Sequence, residues 1–341
     1  MSSLKTYNLC LLGFGNVGRA LARLLVEKRD EMRDQYGIEW RVTGVATRRM
    51  GWLIAPEGFD DAELESGELR ARVGSEPKDV GEWLDAARTE VLFENTSLDT
   101  HAGEPAVSHI RAALERGAHA VTANKGPVVH AFEELDALAR KRGRRFMFES
   151  AVADCLPIFS LFRASLPAAR LLSVRGLLNA TSSVILEAIE EGATFDEGVR
   201  RAQELGLAET DPSNDVDGWD AAVKICALAN VLMDARLKLG DVRREGIRGL
   251  DAEDVRAAKR AGAPLRIVAR ARRGADGRLH ASVGPQPLAP EDPFSKLSGS
   301  SMAARFELDV VPALTLIEDG ADNRSTAYGC LADFINAVRE M

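Results

Sequence analysis

The segment Gly13-Phe14-Gly15-Asn16-Val17-Gly18 restricts the possible folds more than any other part of the sequence. It follows a short apolar run, Asn8 to Leu12, and leads into a helix-like stretch from Arg19 to about Asp34. Alone the pattern is weak, because glycine is common. Between a strand and a helix at the head of a βαβ unit, however, each glycine has a purpose. Gly13 permits the tight turn, Gly15 lets a pyrophosphate approach the backbone, and Gly18 lets the helix pack closely on the sheet. The helix N-terminus offers unpaired N–H groups and a positive dipole end to the phosphates. Phe14, Asn16 and Val17 belong to the same expected dinucleotide site.

The end of the second strand separates one dinucleotide from another, because an acid there accepts hydrogen bonds from the ribose 2′-hydroxyl of NAD. Here it reads Val45-Ala46-Thr47-Arg48-Arg49, with no acid. The guanidinium of Arg48 or Arg49 suits the 2′-phosphate of NADP by charge and by its fork of donors. NADP is the expectation and NAD the alternative.

Further strands are expected at Trp40 to Ala46, Val91 to Glu94, His119 to Ala123 and Arg145 to Glu149, with helices at Glu104 to Arg116 and Ala131 to Arg140. Such alternation reads as parallel βαβ units. After Ala151 the pattern changes. Strands are expected at Arg170 to Leu178, Leu265 to Arg272, His280 to Val283 and Ala304 to Val311, and helices at Thr181 to Glu191, Phe195 to Leu205 and Trp219 to Asp234. Strands no longer spaced by single crossover helices imply an α+β domain. Thr326 to Val338 reads as a closing helix.

With 341 residues, two domains are the default. A formal net charge of −8 argues against general nucleic-acid binding. The basic run Arg140-Lys141-Arg142-Gly143-Arg144-Arg145 reads as a solvated helix end, where cations and a left-handed glycine are favoured. No apolar run approaches the roughly 18 residues of a membrane span, and the first residues lack the order of a signal peptide, so a cytoplasmic protein is expected. Cys10, Cys155, Cys226 and Cys330 form no C-x-x-C pair and suggest neither zinc nor a disulfide framework.

Three stretches carry chemistry. They are Glu94-Asn95-Thr96 with Gly103-Glu104-Pro105-Ala106, then Val121-Thr122-Ala123-Asn124-Lys125-Gly126-Pro127, then Glu209-Thr210-Asp211-Pro212-Ser213-Asn214-Asp215-Val216-Asp217-Gly218-Trp219-Asp220 running into Ala221-Ala222-Val223-Lys224. Lysine can hold or move a proton at an alcohol or aldehyde oxygen. Lys125 is expected to end a buried strand, and Lys224 lies one turn after Asp220 on the same helix face. An exposed pair of that kind is worth little, but Lys224 sits among Ala221, Ala222, Val223, Ile225, Cys226 and Ala227. That favours a buried charge, which needs a partner or a task. Asp215, Asp217 and Gly218 could suggest a calcium loop, but that register puts Lys224 where calcium needs a bidentate glutamate. An amino-acid substrate, whose ammonium needs carboxylates, explains the acids better.

Together with the glycine turn, these motifs resemble the homoserine dehydrogenase family over nearly the whole chain. The resemblance implies an α/β fold with a Rossmann NAD(P)-binding domain at 1–150, an α+β catalytic and dimerisation domain at 151–322, and a C-terminal helix at 323–341 returning to the nucleotide domain. It implies NADP-dependent interconversion of L-homoserine and L-aspartate 4-semialdehyde, an amino-acid substrate and a homodimer. Lys224 becomes the candidate proton-transfer lysine and Lys125 its companion, with Thr96 also at the cofactor. Glu209, Asp215 and Asp220 match the substrate loop. Thr181 either binds substrate or caps a helix.

The family's glycine-rich stretch after the strand ending in glutamate reads Glu149-Ser150-Ala151-Val152-Ala153-Asp154-Cys155 here, leaving the carbonyls of Glu149 and Val152 as candidate ligands of a monovalent cation. A second departure, Glu318-Asp319-Gly320-Ala321-Asp322-Asn323-Arg324-Ser325-Thr326-Ala327, places acids where a glycine-rich turn near the cofactor is usual. Because the closing helix ends three residues before Met341, a short form without a C-terminal regulatory domain is expected. Three rivals stay open: a related dehydrogenase of another small hydroxy or amino acid, a Cys155-based semialdehyde dehydrogenase with a thiohemiacetal intermediate, and a catalytically silent NADPH-binding paralogue.

Overall fold

The computed structural model describes residues 4–72 and 77–339. One compact unit ends at Pro157 and takes the chain back from Asn323, and the other is Ile158–Asp322.

The first unit begins with β1 (Lys5–Leu12), α1 (Asn16–Glu27), α2 (Arg29–Tyr36), β2 (Ile38–Thr47) and β3 (Gly51–Ile54). The single helix expected at Arg19 to Asp34 is two, because Lys28 leaves helical angles (φ −99°, ψ 11°) between them. Gly37, left-handed at φ 68°, then stops α2. There follow α3 (Asp61–Ser66), α4 (Val80–Ala86), β4 (Val91–Glu94), α5 (Ala106–Glu115), β5 (His119–Thr122), α6 (Lys125–Lys141), β6 (Phe146–Met147) and α7 (Ser150–Ala153).

The sheet order is β3-β2-β1-β4-β5-β6, parallel from β2 to β6. The expected all-parallel pattern fails at one edge, where β3 returns antiparallel on β2 after a short turn. The strand order reverses direction between β1 and β4, and ligands of such sheets bind beyond the C-terminal strand ends at that point. Side chains of β1 alternate between faces. Leu9 and Leu11 join Leu21, Leu25 and Phe93 in one buried cluster, whereas Cys10 and Leu12 join Trp83, Leu84 and Leu92 in another.

Two expected boundaries move. The strand expected at Arg145 to Glu149 is paired only at Phe146 and Met147, since Glu149 already has helical angles (φ −53°, ψ −46°). Lys125 does not end a strand; it opens α6. Asn124 caps that helix by accepting from Gly126 N at 2.9 Å, and Pro127 suits a first turn. The later start expected at Ala131 coincides with a kink, where φ is −141°.

The second unit contains α8 (Ile158–Ser160), β7 (Leu171–Leu177), α9 (Ala180–Glu190), α10 (Phe195–Glu204), α11 (Ser213–Val216), α12 (Trp219–Leu232), β8 (Arg243–Arg244), α13 (Ala252–Arg260), β9 (Leu265–Arg273), β10 (Leu279–Pro287), β11 (Met302–Leu308) and β12 (Leu314–Glu318). Its sheet runs β12-β11-β7-β9-β10-β8, antiparallel except where β8 meets β10. Helices α9, α12 and α13 pack against β9. Sequence periodicity missed β12, β8 and α13, and carried β11 three residues too far, to Val311.

The closing helix α14 (Asn323–Val338) belongs to the first unit. Phe334 meets Phe93 edge-on at 5.9 Å, and Ala327, Cys330 and Leu331 join the same core. A polar seam fixes α14 to α7. Glu149 N donates to Asp333 Oδ2 at 2.7 Å, Ser150 Oγ to the Thr326 carbonyl at 2.7 Å, and Thr326 Oγ1 to Asp154 Oδ1 at 2.8 Å.

Candidate active site

In the glycine turn, Gly13 has φ +97°, and a Cβ there would lie 2.3 Å from the Asn95 carbonyl oxygen at the end of β4. A Cβ on Gly18 would lie 2.4 Å from the Gly13 oxygen, so both glycines are required by packing. Gly15 differs, because a Cβ there meets nothing within 4 Å. Gly15 is also the N-cap of α1, which has no side-chain cap and no acid in its first turn. The start of α1 thus combines uncapped first-turn N–H groups with a bare backbone at Gly15, the provision that a pyrophosphate needs. Phe14 is buried under this turn with the Arg19 guanidinium over its ring. Arg48 and Arg49 lie exposed in the turn between β2 and β3 and form no ion pair among the described residues.

Beyond β4 and β5 a hydrogen-bonded group organises the strand-end loops. Glu94, fully buried, accepts from Thr96 Oγ1, from Thr96 N at 3.2 Å and from Thr122 Oγ1 at 3.1 Å. Thr122 Oγ1 accepts from Asn124 N at 2.9 Å, and Asn124 Nδ2 donates to the Thr96 carbonyl at 3.2 Å. The loops carrying Thr96 and Lys125 are therefore tied together, with Lys125 half-buried. Glu94 and Asn124 lie in the stretches singled out from the sequence, which assigned neither an individual role. Their signal was position alone, at strand ends that converge only in the sheet.

The second unit brings together Lys224, Asp220, Asp215 and Asn179. Lys224 is 9% exposed, with the buried Ala221, Ala222, Val223, Ile225, Cys226 and Ala227 around it in α12. Its ammonium lies 2.9 Å from Asp220 Oδ2 and donates to the Leu178 carbonyl at the end of β7. Asn179 Nδ2 donates to Asp215 Oδ1 at 2.6 Å and to Asp220 Oδ2 at 3.0 Å. Thr181 is not a cap. Asn179 caps α9 by accepting from Ser182 N at 2.8 Å, and Thr181 Oγ1 donates to the Leu207 carbonyl at 3.0 Å. Glu209 is exposed on the loop after α10, and its backbone carbonyl accepts from Gln203. Asp217 turns away to Arg248 at 3.0 Å.

Glu149 is the N-cap of α7, and Val152 lies within that helix. Among the described residues, no group of three or more His, Cys, Asp or Glu is arranged to hold a metal. The acidic stretch 318–327 divides, with Glu318 ending β12 and Arg324 in α14, paired with Glu27 at 2.8 Å. Burial pushes the Cys10, Cys226 and Cys330 thiols up to about 12, and Cys155 is half-buried. No described helix is long and apolar enough to cross a membrane.

Residues 13–149 match the family described as homoserine dehydrogenase, NAD binding domain, and residues 157–335 match homoserine dehydrogenase. The NAD(+)-dependent homoserine dehydrogenase of Pseudomonas canavaninivorans is 36% identical, over 97% of this chain and 96% of its own. The homoserine dehydrogenase of Methanocaldococcus jannaschii is 32% identical, over 96% of this chain and 98% of its own. A putative homoserine dehydrogenase from Archaeoglobus fulgidus superimposes with a TM-score of 0.85 at 31% identity, covering 98% of this chain and 100% of that one. A hyperthermophilic archaeal homoserine dehydrogenase in complex with NADPH gives a TM-score of 0.81 at 28% identity, covering 98% of each chain. A Rossmann glycine turn, a buried lysine among carboxylates and similarity along nearly the full length agree, and the chain belongs to the homoserine dehydrogenase family of NAD(P)-dependent oxidoreductases acting on a CH–OH group.

Proposed function

We propose that the protein interconverts L-homoserine and L-aspartate 4-semialdehyde with NADP(H), using Lys224 to move the proton at the substrate oxygen. The observation that carries this reading is the buried Lys224 ammonium 2.9 Å from Asp220, flanked along α12 by buried apolar residues. A charge held there at the cost of its hydration has a task. When bound, the nicotinamide supplies or accepts the hydride. The residues of this chain do the rest. Asp215 and Asp220 attract the substrate ammonium, and Thr181 and Glu209 are the remaining candidate contacts. The first turn of α1 binds the pyrophosphate, and Thr96 and Lys125 orient the reacting end. The preference for NADP rests on Arg48 and Arg49, exposed at the end of β2 where a 2′-phosphate would be read.

NAD is the second reading, favoured by the Pseudomonas relative's NAD(+) dependence. The test is spectrophotometric, following reduced dinucleotide with homoserine, 4-hydroxybutyrate, 3-hydroxy acids and serine, each with NADP and NAD. The proposal expects homoserine with NADP to give the highest kcat/KM. A higher value with NAD, or with another substrate, overturns that part of it.

A further inference from the structure

We infer that Asn179 is a positioning residue of the reaction, a neutral double donor that holds Asp215 and Asp220 side by side next to Lys224. The inference rests on the substrate-site reading above. Asn179 is 6% exposed and its amide is fully used. One Nδ2 hydrogen goes to Asp215 Oδ1 at 2.6 Å and the other to Asp220 Oδ2 at 3.0 Å, while Oδ1 accepts from Ser182 N at 2.8 Å. Two carboxylates within reach of one nitrogen repel each other. A lysine or arginine at 179 would relieve that repulsion but would cancel the charge needed to attract an ammonium group. An amide relieves it without adding charge, so the carboxylates keep their negative charge for the substrate cation.

The chain reaches this arrangement through one turn. Leu178 presents its carbonyl to Lys224 and the next residue presents its amide to both acids. Asn179 is fixed in turn as the N-cap of α9, so the helix start and the site geometry depend on the same side chain. Position 179 thereby contributes to orientation of the lysine partner without needing to touch substrate.

The test uses N179S and N179D, which keep a side-chain oxygen for the cap but lose the bridging amide. Homoserine KM, kcat, melting temperature and the NADPH dissociation constant from nicotinamide fluorescence without substrate are measured on each. Expected for N179S are an unchanged NADPH dissociation constant, a melting temperature close to that of the unchanged protein, and a kcat/KM for homoserine lower by about ten- to a hundred-fold, the scale of lost hydrogen bonds to charged groups. The loss is greater in N179D, which adds a third carboxylate. Unchanged kinetics in N179S overturn the inference, as does a lower melting temperature with unchanged KM and kcat, which makes Asn179 a cap alone. An undiminished K224A variant instead defeats the site reading on which this rests.

Discussion

The Lys224 ammonium and the Asp220 carboxylate meet at 2.9 Å one helical turn apart, on a face where the neighbouring side chains are apolar and buried. Exposed pairs of this spacing contribute only tenths of a kcal/mol, so stability does not explain burying this one. Lys224→Ala is expected to lower turnover by about a hundred-fold or more, as when a general acid/base is removed, with NADPH binding preserved. Stopped assays with homoserine and a fluorescence titration check both halves. Retained turnover removes Lys224 from proton transfer.

Arg48→Ala combined with Arg49→Ala is expected to lower kcat/KM for NADP by about ten- to a hundred-fold, the worth of one or two charge-assisted hydrogen bonds. The value for NAD, which has no 2′-phosphate, should change little. Equal losses with both dinucleotides show that these arginines do not read the phosphate.

Gly18 and Gly15 of the turn should separate cleanly. A Cβ at Gly18 strikes the Gly13 oxygen, so Gly18→Ala is expected to lower stability by about 1–3 kcal/mol. A Cβ at Gly15 meets nothing within 4 Å, so Gly15→Val is expected to hold its melting temperature while dinucleotide affinity falls. Thermal melts and NADPH titrations of the pair decide it, and a Gly15→Val protein that binds normally removes the pyrophosphate from that turn.

Cys155 is half-buried, while burial holds the other three thiols far from ionisation. Iodoacetamide at mildly alkaline pH is expected to label Cys155 first in the folded protein, by mass spectrometry. Cys155→Ser should keep full homoserine-dependent activity. A variant without activity revives the thiohemiacetal route.

His119 Nδ1 accepts a hydrogen bond from Arg145 N at 3.1 Å. Burial first, then the charges of Arg144, Arg145 and Lys5, lower its pKa from 6.5 to about 4. The unfolded chain therefore binds this proton more readily than the folded one, and the stability involved is present above about 6.5 and lost as pH falls toward 4. His119→Asn should flatten the decline of melting temperature over that interval. Parallel curves for the two proteins contradict the assignment.

Local sequence carried much of the fold. The glycine turn, β1, β4 and α12 follow from short-range periodicity and from the backbone freedom of glycine, and the Asp220 to Lys224 spacing is a property of any helix. Boundaries were lost where a cap or kink sits on one residue, the side chain of Asn124 before Lys125 and the backbone of Lys28 between α1 and α2. Short edge strands such as β3 and β12 bury too little of either face to leave a clear alternation.

Sequence by itself determined which elements form and which residue types are available for chemistry, because propensity, alternation and glycine conformation act over a few neighbours. Tertiary structure decided which distant residues share a site. Asn179 reaches Asp215 and Asp220 from 36 and 41 residues away, and Glu94 gathers Thr122 from 28 residues away. Those contacts exist because strand ends and helix starts converge once the sheets have formed, and no local pattern records that convergence. The same holds for α14, whose apolar face is legible but whose place beside Phe93 is set by the core it completes.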